Sequence, residues 1–193
     1  MNRLQILSLN SNSINMSVLS FGYYIDGKPY KVLDERRMRA SAGIMMLLGT
    51  IATINGFVLH QYAIIPYIMG FFVINFLIGL FINPLFSPTV LLAWLFVRRQ
   101  SPIPIGAVQK KFAWSIGFML STAIFILSLY LQTDESYFHN VCMLCMLCLL
   151  MLYLETAFAI CVGCKVYDLA IRARLLPKPK ERPNCMGDSC ETK

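Results

Sequence analysis

Four long apolar runs, at 42–59, 63–82, 112–131 and 141–164, are set apart by short polar segments. Each run is close to the ~20 residues a helix needs to cross a ~30 Å hydrocarbon core. The pattern therefore predicts an all-α membrane protein with four transmembrane helices. The first two runs are joined only by His60, Gln61 and their neighbours, which predicts a tight helical hairpin. Pro66 falls in the first turn of the second run, where its missing N–H costs little.

Between the second and third runs, Asn83-Pro84-Leu85-Phe86-Ser87-Pro88 breaks the pattern. Ser87 and Pro88 form an N-cap and N1 pair for a short helix over 87–99. Its apolar stretch is too short to span, which predicts an interfacial helix with Trp94 at headgroup level. The Pro/Gly-rich segment 100–109 reads as a loop. Ahead of the first span, 1–39 reads as an extramembrane arm, and the Asp26-Gly27 turn signal suggests a small hairpin at 21–32. After the fourth span, 165–176 has helical periodicity, and the Pro- and charge-rich tail 177–193 is expected to be disordered.

Composition supports this reading: 57 % of residues are hydrophobic and only 14 % charged, against about a quarter charged in soluble domains. The net charge of +7 belongs to membrane topology rather than to nucleic acid. Of the 17 Lys and Arg residues, six lie before residue 40, four in 83–111 and seven from Lys165 onward. The other two connections hold none. By the positive-inside rule both termini and the 83–111 connection are cytoplasmic. No hydrolase triad, phosphate loop or nucleotide fingerprint is present, and no cofactor is predicted.

The candidate chemistry is carried by sulfur. Cys142, Cys145 and Cys148 lie three residues apart among Met and Leu, so neighbours occupy adjacent turns of one stripe. Thiol and thioether groups suit Cu(I), but buried cysteine also behaves as a small hydrophobe, which is the stronger reading. Cys161 and Cys164 form a Cys-x-x-Cys pair beside Lys165, able to form a disulfide or share a metal. If the fourth helix runs unbroken to 164, its negative C-terminal dipole opposes a thiolate there. If Gly163 breaks the helix, Cys164 instead starts a new one and the sign reverses. With Cys185 and Cys190 the pair gives a spacing just outside the usual zinc pattern. Reduced free thiols in the tail are the stronger reading.

Glu155 is the one clearly intramembrane ionisable residue, by default a functional or paired interior group. Asn55 and Asn75, from the first two spans, are its expected hydrogen-bond partners, and a proton or cation pathway is the competing role. His60 and His139 both fall at the opposite edge, without enough ligands around them to predict a metal site. Gly117-x-x-x-Ser121 suits close helix packing.

Two stretches carry a resemblance: Lys111-Phe112-Ala113-Trp114-Ser115-Ile116-Gly117, and Phe158-Ala159-Ile160-Cys161-Val162-Gly163-Cys164-Lys165-Val166-Tyr167. With Asp34-Glu35-Arg36-Arg37-Met38-Arg39-Ala40 and the 83–88 segment, the chain over about 32–174 resembles the bacterial membrane proteins of domain-of-unknown-function family 4395. The likeness implies a multi-pass protein of the bacterial inner membrane. Because some family members are encoded beside thioredoxin-like or sulfurtransferase proteins, the resemblance also implies such a partner and sulfur or redox chemistry. Thiol or sulfur handling through Cys161 and Cys164 is the leading expectation. A non-catalytic subunit of a larger membrane complex and a small oligomeric transporter are the alternatives.

Overall fold

The structure is a computed structural model that describes residues 20–25 and 29–175. The tail 177–193, the first nineteen residues and the expected hairpin turn at 26–28 lie outside the described residues. The chain runs through β1 (Val32–Asp34), α1 (Glu35–Phe57), α2 (Ile64–Phe81), α3 (Pro88–Val97), β2 (Pro104–Gly106), α4 (Ala107–Leu131), α5 (Phe138–Phe158) and α6 (Val162–Arg172). Single 3-10 turns at Pro84–Phe86 and Glu135–Tyr137 lead into α3 and α5. Helices α1, α2 and α4 are each long and apolar enough to cross a membrane, as is α5 with its leading turn.

The helices begin where capping chemistry allows. Asp34 Oδ1 accepts the Arg36 amide at 3.1 Å, and Glu35 opens α1, an arrangement that suits the helix dipole. So α1 starts seven residues before its apolar run, carrying Arg36, Arg37 and Arg39 in its first turns. Likewise α4 starts at Ala107 and takes in Lys110 and Lys111. An apolar-length criterion marks only the part of a helix inside lipid.

The arm pairs both with itself and with a distant segment. Tyr23 and Val32 do form an isolated antiparallel bridge. The regular pairing, however, joins β1 to β2, with Val32 opposite Gly106 and Asp34 opposite Pro104. The segment expected to be a loop thus supplies a strand. Asp34 Oδ1 also accepts the Ile103 amide at 3.2 Å, so one carboxylate caps α1 and holds the strand facing it.

Inside the bundle, α2 and α4 interlock through two reciprocal large–small contacts. The Trp114 ring lies over Gly79, where an added Cβ would meet it at 1.9 Å, and the Phe76 ring lies over Gly117 at 2.8 Å. The two rings meet edge to face at 5.4 Å, a favourable aromatic geometry.

The short helix α3 is pinned by polar groups. Asn75 Oδ1 accepts both the Thr89 amide (3.0 Å) and the Thr89 hydroxyl (2.9 Å). Ser41 and Thr89 hydroxyls lie 2.7 Å apart, and Ser87 donates to the Asn75 carbonyl at 3.0 Å. All four residues are buried, so the network ties α3 to both α1 and α2. Outward, α3 presents Leu91, Leu92, Trp94, Leu95 and Phe96.

The fourth long helix ends earlier than expected. α5 stops at Phe158, and Ala159 takes the left-handed conformation (φ 56°). The amides of Ala159 and Ile160 both donate to the Leu154 carbonyl, five and six residues back, so the last turn closes wider than an α-helical one. Gly163 lies inside the next helix.

Candidate functional site: a buried dithiol

Because the chain turns at Ala159, Cys161 becomes the N-cap of α6. Its backbone is extended (φ −82°, ψ 101°), and its Sγ accepts the amide of Cys164 at 3.3 Å. The first cysteine of the pair therefore sits at the positive end of a helix, the position expected for Cys164 had Gly163 been the breaker. Gly163 instead serves close approach. A Cβ there would lie 2.5 Å from Ala113 Cβ and 2.6 Å from its Cα, so only glycine lets α6 seat against α4. The Phe112 and Tyr167 rings close the same contact at 5.4 Å.

Seated this way, Cys161 is 2 % exposed and Cys164 4 %. Both are free thiols, as are Cys142, Cys145 and Cys148. Lys110 projects from the first turn of α4 into the same region, 1 % exposed, and forms an ion pair with Glu155 of α5. Its ammonium also acts electrostatically on both thiols. Together these groups split the pair. Hydrogen bonding from the Cys164 thiol, aided by Lys110 and the Cys164 amide, holds Cys161 below the ordinary thiol range against its burial. Cys164 is pushed the other way, by donating to Cys161 and by burial.

A cavity of about 70 Å³ adjoins the dithiol, with Cys161, Glu155, Cys148, Met38, Trp114 and Leu120 in its wall. Cys148 is half-buried there, while Cys142 and Cys145 are buried and pack as small apolar groups in the core.

Several expected associations do not occur. Glu155 meets neither asparagine: Asn75 serves Thr89, and Asn55 Nδ2 donates to the Ile51 carbonyl of its own helix at 2.8 Å. The partner of Glu155 is Lys110, which charge counting groups with the 83–111 connection. A usable signal was present, since Lys110, Trp114, Gly117 and Ser121 share one helical stripe. At the far end of the bundle His60 Nδ1 lies 3.4 Å from the Tyr62 hydroxyl, while His139 is exposed. Among the described residues no group of three or more His, Cys, Asp or Glu is placed to hold a metal. Cys185 and Cys190, the other weak zinc candidates, lie outside them.

The fold and site define a multi-pass helical membrane protein with a Cys-x-x-Cys pair buried at one end of its bundle. A family model described as Domain of unknown function (DUF4395) matches residues 33–172, and the chain belongs to that family. No curated protein and no solved structure matches the chain.

Proposed function

We propose that this protein lies in the bacterial inner membrane with both termini and the dithiol end cytoplasmic, and handles thiols or sulfur through Cys161 and Cys164. The carrying observation is the Cys161 Sγ at the α6 N-cap, accepting the Cys164 amide. A helix N-terminus and a neighbouring ammonium both favour a thiolate, the nucleophilic form. Cys161 is then the attacking sulfur, and Cys164, kept protonated, resolves the product as a disulfide. The topology rests on the clustering of every Lys and Arg in the arm, the 83–111 connection and the segment from Lys165. The resemblance adds a thioredoxin-like or sulfurtransferase protein as partner, which reaches the buried pair only after α6 swings about Ala159.

Burial of both thiols favours a second reading, a non-catalytic subunit in which the pair is packing. One experiment separates the two. Cells are quenched in acid, and the denatured protein is alkylated with a mass-adding maleimide before and after reduction. On the thiol reading a Cys161–Cys164 disulfide accumulates under oxidant, and Cys161→Ser abolishes both the disulfide and the cellular phenotype. A pair reduced under every condition, with a silent double serine variant, leaves the subunit reading. Orientation is checked with an impermeant maleimide: Gln132→Cys reacts in intact cells, Arg98→Cys only after permeabilisation.

A further inference from the structure

The cavity beside Cys161 sets the size of what the dithiol meets. Its ~70 Å³ is less than half the ~150 Å³ of an apolar cavity that takes benzene, yet several times the minimum for one water. An aromatic ring or a lipid-soluble quinone headgroup does not fit; a molecule of two or three heavy atoms does. Most of the wall is apolar, including Met38, Trp114 and Leu120, so the occupant is neutral. Its polar lining is Ser41, the Cys148 and Cys161 sulfurs, and Glu155 with its Lys110 partner; the Ser41 hydroxyl is engaged by Thr89. A nucleophilic sulfur, a second thiol three residues on and a proton-holding pair around so small a space suit a small substrate with a weak O–O bond.

We propose that hydrogen peroxide enters this cavity and oxidises the Cys161–Cys164 pair, with the Lys110–Glu155 pair returning the proton that the leaving oxygen requires. The proposal rests on the dithiol reading above and names its oxidant. As Cys161 ionises, its proton passes to the Lys110–Glu155 pair. Cys161 Sγ attacks one peroxide oxygen, the S–O bond forms, the O–O bond breaks, and the departing hydroxide takes that proton to leave as water. Cys164 Sγ then attacks the sulfenic sulfur, the S–S bond forms, the S–O bond breaks, and the Cys164 proton leaves with the hydroxide as a second water. Two thiols are oxidised and one peroxide reduced to two waters. An external dithiol restores the pair by exchange, leaving as its own disulfide.

The test uses the full chain, reduced, in lipid nanodiscs, with disulfide formation followed by intact mass after alkylation. Hydrogen peroxide is expected to oxidise the pair about tenfold or more faster than cumene hydroperoxide, since a tight pocket discriminates by shape. Glu155→Gln is expected to slow the peroxide reaction by about 100-fold, as for loss of a general acid–base group. Leu120→Phe, which narrows the cavity and leaves the Lys110, Glu155 and Cys161 side chains unchanged, is expected to slow it as well and serves if Glu155→Gln does not fold. Equal rates with the two hydroperoxides, or no disulfide with hydrogen peroxide, overturns the proposal. A glutathione redox buffer separates the two failures. If it yields the disulfide while peroxide does not, the dithiol reading stands and the peroxide inference falls; if neither does, both fall.

Discussion

Lys110 of α4 and Glu155 of α5 form an ion pair in which the lysine side chain is 1 % exposed and the carboxylate 17 %. Removing one member of such a pair strands the other, whereas removing both returns an apolar contact. Lys110→Met is expected to destabilise by about 3 kcal/mol, the lower end of the range for buried pairs because Glu155 keeps some contact with solvent. The Lys110→Met/Glu155→Leu double variant should recover most of that loss. Thermal unfolding of the three variants in one detergent gives the coupling directly. An additive double variant would show that the two charges act independently.

Ala159 adopts φ 56° at the turn between α5 and α6. A left-handed alanine costs roughly 1–2 kcal/mol, part of which glycine gives back through its greater freedom when unfolded. Ala159→Gly is therefore expected to stabilise by about 0.5–1 kcal/mol. Ala159→Val, with a branched Cβ at positive φ, should destabilise. Denaturant midpoints decide it: a glycine variant less stable than wild type contradicts the left-handed turn.

The two bonds that Asn75 Oδ1 accepts from Thr89 predict an order of severity. Asn75→Ala leaves a buried Thr89 amide without an acceptor, at a cost of about 1–3 kcal/mol. Thr89→Val keeps that amide bond and should cost less. The same order is expected in the protease sensitivity of α3, read by limited proteolysis in nanodiscs. Equal effects from both variants would place the burden on the hydroxyl instead.

The opposed shifts of the two thiols give a pH signature. Cys161, held low by the Cys164 thiol bond and by Lys110, should ionise below the ordinary thiol value of about 8.5, and Cys164 above it. The ultraviolet absorbance of the thiolate, taken as wild type minus Cys161→Ser, should therefore appear below that pH. It should move upward in Lys110→Met. The sign for stability follows: a depressed Cys161 stabilises the fold above the unfolded thiol value, and that contribution is lost as pH falls through the folded one. Absorbance that rises only above the ordinary value refutes the thiolate assignment.

The spans were legible because covering a hydrocarbon core demands a length of apolar residues that little else in the chain could supply. The features that make the site were not, for three separate reasons. Ala159 is the residue type least expected to end a helix, whereas Gly163, four residues on, carries the usual breaker signature. Lys110 sits beside Lys111, and charge counting treats the two alike, although only Lys110 faces the bundle, buried, while Lys111 is exposed. The three-residue strands Val32–Asp34 and Pro104–Gly106 carry no local signature, since each is held by a partner far away in sequence. Asn75 was visible as a polar residue in an apolar run, but its partner depended on where α3 packs.

The pairing of Val32 with Gly106 also constrains the order in which the protein is made. During synthesis from the N-terminus, the arm, α1, α2 and α3 leave the ribosome before the strand that completes β1 exists. Until Gly106 emerges, Leu33 and Ile105, both buried in the finished molecule, have no common shelter. The ribbon can thus form only once just over half of the chain has been made, immediately before the third membrane-crossing helix, and it latches the beginning of the chain to its middle.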